Sequence, residues 1–297
     1  MAIFSVDKKH VEPSSLKRAK PDVYGHKYPI ESNEIITEAL SLFNEEIDKL
    51  ADKDREGIAK AEKRCPEIIN TKEHKLMFLR SDNFMVDLAA KRFANYWNKR
   101  IELFGEKAFS PLTISDSLNN DKEALNTAFC KLLKAKDDVG RSIIYMDPAL
   151  LDDSKYTRDS MLRVIWYVVH VALEEKETQQ RGIIFVNNNG NNPEIRQFDR
   201  VLVGKIAHSL QHEIPIIIGA LYILHIPRLL VVFMNVIKHV LGSGISKQMK
   251  VVGGSNQMIL QKLDKHGMYK EDMPVDIGGD LKYDNESWVR QRVEAEL

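Results

Sequence analysis

The chain has 297 residues, with 43 basic and 43 acidic side chains and a hydrophobic fraction of 43%. This length is enough for a full-sized core and predicts two domains. Because the charges balance, the composition gives no general reason to expect nucleic-acid binding, and none is predicted. The N-terminus lacks the apolar core of a signal peptide, and Cys65 and Cys130 form neither a metal-binding nor a disulfide pattern, so we expect a reducing, cytoplasmic location.

The N-terminal third of the sequence divides into an arm and a helical module. Residues 1–30 carry three prolines among polar residues without apolar periodicity, which predicts a poorly ordered arm. From Asn33 onward, apolar residues recur at three- and four-residue steps, the spacing of an amphipathic helix. A later helix aligns Val86, Phe93, Trp97 and Ile101 on one face. We therefore expect a small all-helical module over residues 31–110.

After Asp121, short β-branched runs alternate with amphipathic runs. The predicted strands are SIIYM (142–146), GIIFV (182–186), IIIGALYIL (216–224) and MKVV (249–252). The predicted helices are Thr157–Thr178, Pro193–Gln211, Arg228–Leu241 and Ser255–Leu263. Continuous apolar runs are typical of strands buried on both faces. The pattern predicts an α/β fold over residues 121–285, with a mainly parallel sheet and flanking helices.

The most apolar stretch, Ile214–Gly242, raises the question of a membrane anchor. A membrane span needs about 20 predominantly apolar residues. Here Pro227 and Arg228 interrupt the stretch near its middle, and a charge at the bilayer centre costs roughly 2.5–3.5 kcal/mol. The stretch is therefore interpreted as two shorter pieces, and a permanent anchor is not predicted.

The sequence offers little support for catalysis. It contains no GxGxxG, no GxxxxGK[ST] and no GxSxG motif. The turn VVGGSNQ, Val251–Gln257, is more typical of a tight strand-to-helix connection than of an anion site. His208 and His212 have the spacing of two zinc ligands, but the glutamate of the HExxH motif and a third ligand are missing. We predict no catalytic residues, no metal site and no cofactor.

Two predicted helices have unusually wide apolar surfaces. In Arg228–Leu241, apolar side chains occupy most of the circumference, whereas an ordinary surface helix has a narrower stripe. The other helix places Leu162, Ile165, Trp166 and Val169 along one side. Both patterns fit either plain core packing or the wall of an apolar ligand cavity, and periodicity does not separate the two.

Six short motifs follow one another along the chain, from Phe78 in the first to Leu281 in the last. They are FLRSDNF (78–84), GRSIIYM (140–146), ETQQRGIIFVNNNG (177–190), PIIIGALYILHIP (215–227), VIKHVLG (236–242) and MPVDIGGDL (273–281). In this order they resemble the motifs of the CRAL-TRIO family of lipid-binding proteins, to which α-tocopherol transfer protein and cellular retinaldehyde-binding protein belong. The resemblance implies a helical module followed by an α/β domain with an apolar lipid pocket.

The resemblance also implies a set of site residues. A mobile gate helix would correspond to Arg228–Leu241, covering the ligand when closed and dipping into a membrane surface when open. The implied ligand contacts are Leu162, Ile165, Val169, Val186, Leu221, Leu229, Phe233, Val236, Ile237 and Val240. The implied basic residues at the membrane surface are Arg228, Lys238, Lys247 and Lys250.

Several positions depart from the family pattern. Tocopherol-transfer-like members carry a basic residue where Ile217 stands, and further basic residues at the positions of Gly244 and Gln248. Members that transfer phosphatidylinositol carry a glutamate at the position of Ile216. The phosphoinositide-binding residues are therefore largely absent. The aspartate of the family's Asp-x-x-Gly turn is replaced by Asn187, for which the sequence suggests no consequence.

These features predict a lipid-binding or lipid-transfer protein rather than an enzyme. The expected ligand is a largely neutral molecule of prenol, sterol or tocol type, exchanged through transient contact with a membrane. One alternative is a phospholipid or phosphatidylinositol exchange protein. Another is a regulatory module whose pocket is vestigial and whose partner is a protein. The sequence has no feature that indicates an oligomeric state.

Overall fold

The computed structural model describes residues 10–190, 199–226 and 247–296. The first part of the chain is helical, and from residue 130 onward helices alternate with the strands of one sheet. The helices within these ranges are α1 (Asn33–Asp48), α2 (Asp52–Arg64), α3 (Pro66–Ile69), α4 (Lys72–Ser81), α5 (Val86–Phe104), α6 (Lys122–Asn126), α7 (Arg158–Leu173), α8 (Lys176–Arg181), α9 (Arg200–His212), α10 (Asn256–Asp264) and α11 (Asn285–Ala295). The strands are β1 (Cys130–Lys136), β2 (Ser142–Met146), β3 (Ile183–Asn188), β4 (Ile218–Leu224) and β5 (Met249–Val252).

The helical region begins where the apolar periodicity predicts it. The side chain of Ser32 caps α1 by accepting a hydrogen bond from the backbone N–H of Ile35 (3.3 Å). The apolar stripe of α1 packs against α4 and α5. Phe43 and Phe93 meet edge to face there, with 5.4 Å between their ring centroids. The all-helical module predicted before the sheet is confirmed, while the domain boundaries at residues 30, 110 and 121 stay predictions.

The sheet has five strands in the order β1-β2-β3-β4-β5. β1 is antiparallel to β2, and the other neighbouring strands are parallel. The mainly parallel α/β class is therefore confirmed, with strands at all four predicted places. β1 is an additional strand that the sequence pattern does not predict, because its sequence CKLLKAK contains three lysines and forms no continuous apolar run.

The helices that connect the strands differ in detail from the prediction. The helix predicted over Thr157–Thr178 is two helices, α7 and α8, which are separated by Glu174 and Glu175. α9 occupies the later part of the helix predicted over Pro193–Gln211, since residues 193–198 are outside the described ranges. The predicted gate helix Arg228–Leu241 also lies wholly outside the described residues.

The two faces of the sheet belong to two separate apolar clusters, because successive side chains of a strand point to opposite faces. We call one the α7 face, since its side chains join the cluster that contains α7; they are Ile144, Met146, Ile183, Phe185, Leu221 and Ile223. We call the other the α10 face, since its side chains pack with α10; they are Ile143, Tyr145, Ile184, Val186, Ala220, Tyr222 and Leu224.

Residues 10–30 pack against the rest of the protein. The hydroxyl groups of Tyr24 and Tyr222 share a hydrogen bond (2.8 Å), and His26 Nε2 donates to the carbonyl oxygen of Gly219 (2.9 Å). A bridge between Arg18 and Pro29 folds the segment back on itself. The prediction of a poorly ordered arm is therefore wrong for these residues. The segment is held by aromatic and polar side chains. A prediction based on apolar periodicity does not detect them, because they do not recur at a regular spacing.

Arg141 connects this segment to the sheet. Its guanidinium is fully buried, with Nη1 donating to Asp137 (2.6 Å) and Nη2 donating to Asp22 and to Tyr28 Oη (2.7 Å). Gly219 leaves the space that Arg141 needs, since a Cβ there would lie 2.6 Å from Arg141 Cδ. A buried guanidinium without its carboxylates is strongly destabilising. The N-terminal segment therefore supplies one of the two carboxylates that pair with this buried guanidinium.

The carboxylate of Asp22 should contribute measurably to stability. Burial by itself raises the pKa of Asp22, but hydrogen bonds from Tyr28 and from the backbone, together with the charge of Arg141, outweigh it and hold the pKa below 3.8. We expect Asp22→Asn to lower the free energy of unfolding by about 2–3 kcal/mol at pH 7. Because the folded-state pKa is depressed, this contribution is present above pH 3.8 and is lost as the pH falls through the folded value. Urea unfolding should therefore show a smaller difference at about pH 3 than at about pH 7.

A surface ion pair supplies the control. The Asp48 side chain is 73% exposed and pairs with Arg55 at 3.2 Å. Asp48→Asn should change the free energy of unfolding by less than about 0.5 kcal/mol. An Asp22→Asn protein as stable as the parent would contradict the proposed role of this carboxylate.

Candidate functional site

The α7 face is covered by a helix whose start is well defined. A capping box begins α7, in which the backbone N–H of Ser160 donates to Thr157 Oγ1 (3.1 Å) and the backbone N–H of Thr157 donates to Ser160 Oγ (2.8 Å). The predicted ligand contacts that follow on α7 are Leu162, Ile165 and Val169. They lie within about 60° of one another around the helix. All three are buried in the same apolar cluster as Leu221, so the structure brings these four predicted contacts together.

Val186 lies on the other side of the sheet. It is paired in register with Tyr145 and Tyr222, and all three belong to the α10 face. The structure therefore places Val186 on the opposite face of the sheet from the other four described ligand contacts, and its contact with a ligand stays a prediction. The physical reason is the two-residue period of a strand, which turns the neighbouring residues Phe185 and Asn187 toward the α7 face.

The α7 face contains further residues that the sequence analysis does not assign to a site. Phe185 and Ile223 are buried there beside Leu221. The alternation of side chains along a strand is the signal that could identify such residues. Counting two residues from Leu221 along β4, for example, gives Ile223 on the same face. In a run that is apolar at every position, however, the sequence does not show which set of alternate residues faces the ligand.

α9 lies beside α7 and is linked to it by a buried polar contact. Trp166 Nε1 donates to Ser209 Oγ (3.1 Å), and Ser209 Oγ donates to the carboxylate of Glu213 just beyond the end of α9. Glu213 is buried. Burial raises its pKa above 4.5 and outweighs the hydrogen bond from Ser209 and the positive charge of Lys99, which lower it.

The paired histidines of α9 do not form a metal site with the described residues. The rings of His208 and His212 lie 4.9 Å apart, and His208 Nε2 is 3.5 Å from a carboxylate oxygen of Glu213. The side chain of His208 is 65% exposed. Within residues 10–190, 199–226 and 247–296, no group of three or more potential ligands is arranged to hold a metal ion.

A second buried polar chain joins α7 to the helical region. Arg100 Nη1 donates to Tyr96 Oη, Tyr96 Oη donates to His170 Nε2 (3.0 Å), and His170 Nδ1 donates to the carbonyl oxygen of Trp166 (2.6 Å). Burial, with the charge of Arg100, lowers the pKa of His170 to about 3, so its imidazole is neutral at pH 7. Every polar atom in this series of hydrogen bonds has a partner within the protein. We therefore assign the series a structural role, which is to hold α7 in place.

The predicted basic residues are only partly within the described ranges. Arg228 and Lys238 lie outside them, as do the predicted contacts Leu229, Phe233, Val236, Ile237 and Val240. Lys247 and Lys250 are exposed. Lys250 pairs in register with Tyr222, and its ammonium lies 5.8 Å from the centroid of the Tyr24 ring. It therefore lies on the α10 face, away from Leu162, Ile165, Val169 and Leu221.

Helix length and hydropathy bear on the question of a membrane anchor. Among the described residues, no helix is both long enough and apolar enough to cross a bilayer.

The family of the chain follows from its sequence. Residues 126–279 match the model of the CRAL/TRIO domain, which is just over half of the 297 residues. The matched region contains the five strands together with α7, α9 and α10. The chain belongs to the CRAL/TRIO domain family.

Individual relatives are identical to this chain at about a quarter of the aligned positions. The alpha-tocopherol transfer protein-like protein of Mus musculus is 25% identical over 198 residues, which cover 66% of this chain and 56% of that protein. Clavesin-2 of Homo sapiens is 26% identical over 229 residues, covering 74% of this chain and 66% of clavesin-2. The chain thus matches less than two thirds of the length of either protein. The crystal structure of Sfh5 has the same fold, with a TM-score of 0.50 at 13% identity, over 93% of this chain and 90% of Sfh5.

Removing the charge of the buried Glu213 carboxyl should change the free energy of unfolding in the opposite direction from removing that of Asp22. Because the folded-state pKa of Glu213 is raised, its ionisation opposes folding above pH 4.5. Glu213→Gln should therefore raise the free energy of unfolding at about pH 7, since glutamine still accepts the hydrogen bond from Ser209 without carrying a charge. Below about pH 4 the difference should close, because glutamate is then uncharged in both states.

Urea unfolding of the parent and the Glu213→Gln protein at the two pH values measures this effect. Glu102→Gln is the control, since the side chain of Glu102 is 67% exposed beside Lys99. It should leave the free energy of unfolding within about 0.5 kcal/mol of the parent at both pH values. A Glu213→Gln protein less stable than the parent at about pH 7 would show that the carboxylate stabilises the fold.

Proposed function

We propose that this chain binds one hydrophobic small molecule against the α7 face and transfers it between membranes, without catalysing a reaction. The observation that carries the proposal is the gathering of Leu162, Ile165, Val169 and Leu221 in one apolar cluster, in a chain of the CRAL/TRIO family. The name of the murine relative, a tocopherol transfer protein-like protein, agrees with a ligand of this kind. Such a protein would work in the cytoplasm and meet membranes transiently.

Affinity in such a site would come mainly from apolar burial. A ligand that buries about 400 Å² of apolar surface gains roughly 10 kcal/mol, before the costs of association and ordering. Apolar contacts are not directional, so they select a ligand by volume and shape. This favours a neutral molecule of prenol, sterol or tocol type.

The described residues give a phosphorylated headgroup little support. Ile216 and Ile217 occupy the positions at which family members that bind phosphatidylinositol or phosphoinositides carry charged side chains, and both are buried. Burying a phosphate without charged or hydrogen-bonding partners is strongly unfavourable. Neutral lipids are therefore the preferred class.

We further propose that Arg228–Leu241, which lies outside the described residues, is the gate through which the ligand is exchanged. Its sequence carries apolar residues around most of the circumference and basic residues at both ends. Shallow insertion of four apolar side chains could supply roughly 6–12 kcal/mol before orientation and desolvation costs. Arg228, Lys238 and Lys247 would each add about 1 kcal/mol of attraction to an anionic surface, whereas Lys250, which lies on the α10 face, is not counted.

A displacement experiment tests the ligand class. The purified protein is loaded with a fluorescent sterol, which is then displaced with geranylgeraniol, cholesterol, α-tocopherol or phosphatidylinositol. At least one neutral lipid should displace the probe at a concentration about tenfold lower than phosphatidylinositol, a difference of about 1.4 kcal/mol. Preferential binding of phosphatidylinositol would favour phospholipid exchange instead. If native mass spectrometry also found no lipid bound, a regulatory module that binds a protein partner would become the better explanation.

Two adjacent residues on β3 locate the site. Phe185 faces the α7 cluster and Val186 faces the α10 cluster. Phe185→Leu should weaken neutral-lipid binding about threefold or more, because the smaller side chain loses contacts with the ligand. Val186→Ala should lower the free energy of unfolding by about 1–2 kcal/mol while leaving lipid affinity unchanged. If Val186→Ala weakened lipid binding and Phe185→Leu did not, the ligand would lie on the α10 face instead.

Transfer between vesicles tests the gate. The double change Phe233→Ser and Ile237→Ser should reduce vesicle binding and inter-vesicle transfer more than it reduces thermal stability, because the gate uses these side chains at the membrane. Raising the salt concentration should weaken vesicle binding only partly, since the apolar contribution is not screened.

The matched control is the double change Met258→Ser and Val275→Ser, at two exposed apolar residues. It should leave vesicle binding and transfer at the parental level. Parental transfer by the Phe233→Ser, Ile237→Ser protein would rule out the gate assignment. A protein that failed to fold would instead place the two residues in the static core.

A further inference from the structure

Asn187 is a polar residue on the otherwise apolar α7 face. On β3 it follows Ile183 and Phe185 at steps of two residues, so it points to the same side of the sheet. Its direct neighbours on the adjoining strands are Met146 on β2 and Ile223 on β4. Both neighbours belong to the α7 cluster. The amide of Asn187 is therefore surrounded on the sheet by apolar side chains.

The side-chain oxygen of Asn187 is buried without a partner. Asn187 Oδ1 is shielded from solvent and accepts no hydrogen bond from the described residues. Buried polar atoms in folded proteins are almost always hydrogen-bonded, because an unpaired one has lost its contact with water without replacement. The unpaired carbonyl oxygen on this face therefore needs a donor other than the residues that the structure describes.

The next two asparagines have structural roles, unlike Asn187. Asn188 Oδ1 accepts a hydrogen bond from the backbone N–H of Gly190 (2.9 Å) and is bonded to His225 Nδ1 (3.0 Å). Asn189 Nδ2 donates to the carbonyl oxygen of Leu224 (3.1 Å). These bonds hold the turn after β3 against the end of β4. Among the three consecutive asparagines, only the first directs an unpaired carbonyl oxygen toward the α7 face.

We infer that Asn187 recognises the hydroxyl group of a lipid alcohol bound against the α7 face. This inference rests on the lipid-binding function proposed for the same face. A hydroxyl fits because it donates one hydrogen bond and accepts others, and so can pair with both the oxygen and the nitrogen of the amide. The apolar neighbours strengthen the bond, since electrostatic interactions are stronger where water is excluded. A hydrocarbon or an ether lacks the donor and would leave Asn187 Oδ1 unpaired.

Matched pairs of ligands test this recognition. The probes are geranylgeraniol, cholesterol and α-tocopherol, each compared with its own methyl ether, which keeps the apolar body and removes the donor. The parent protein should bind the alcohol of the preferred pair about tenfold more tightly than the ether, which corresponds to about 1.4 kcal/mol. In Asn187→Leu, a substitution of similar volume, the ratio should fall to about one, chiefly through weaker binding of the alcohol. Asn187→Met gives the same test with a more flexible side chain.

The neighbouring asparagine is the control. Asn188→Leu should lower thermal stability, because it removes the bonds to Gly190 and His225, and any protein that folds should keep the parental alcohol-to-ether ratio. Without ligand, Asn187→Leu should be at least as stable as the parent, since it removes an unpaired buried oxygen. Equal binding of alcohol and ether by the parent, or an unchanged ratio in Asn187→Leu, would overturn the role of Asn187 while leaving lipid binding intact. Failure of every alcohol and ether to bind would overturn the proposed function and this inference together.

Discussion

The central strands of the sheet are buried on both faces. Because of this constraint, the side chains of each strand belong to two different apolar clusters, one on each face of the sheet. Alternate side chains of β2, β3 and β4 enter two different apolar clusters, so a shift of one residue would exchange the clusters completely. On the α10 face, the chain's own aromatic residues, such as Tyr24 and Tyr222, complete the packing. The α7 face holds the predicted ligand contact Leu221 together with Asn187. If the proposed site is correct, structural packing and ligand binding would share the same strands at a spacing of one residue.

The N-terminal segment, residues 10–30, contributes to the packing on the α10 side of the sheet. Arg141 lies at the start of β2, and its burial is tolerable because Asp137 and Asp22 surround the guanidinium. Asp22 belongs to the segment that also places Tyr24 beside Tyr222 and His26 beside Gly219. One segment thus supplies a carboxylate to a buried guanidinium and packs against the α10 side of the sheet. The α7 side is covered by helices, and it is the side on which the ligand is proposed to bind.

The sequence predicts the class of the fold and the places of the parallel strands, because continuous β-branched runs have few alternative structures. It does not predict the edge strand β1, because the three lysines of CKLLKAK interrupt the apolar run by which the other strands are identified. It also does not separate Val186 from Leu162, Ile165, Val169 and Leu221, since a run such as IIFV is apolar at every position and does not indicate on which face of the sheet each residue lies. The packing of residues 10–30 cannot be predicted from periodicity, because it depends on Asp22 and on aromatic side chains that do not recur at a regular spacing. The surroundings of Asn187 depend on its strand register with Met146 and Ile223, which the sequence does not show.

The rigidity of α7 limits how a ligand could be exchanged. α7 is buried on nearly all sides, and Arg100, Tyr96 and His170 tie it to the helical region through atoms that all have partners. Moving α7 would break the hydrogen bond between Tyr96 and His170 and leave His170 Nε2 without a partner in the interior, which is unfavourable. α9 is less constrained, because several of its residues, including Val201 and Val203, are exposed or only half-buried. If a ligand binds against the α7 face as proposed, its exchange would therefore more readily involve α9 and the proposed gate at 228–241 than α7. The hydrogen bond that ties α7 to the helical region and its burial on nearly all sides make it the more rigid side of the proposed site.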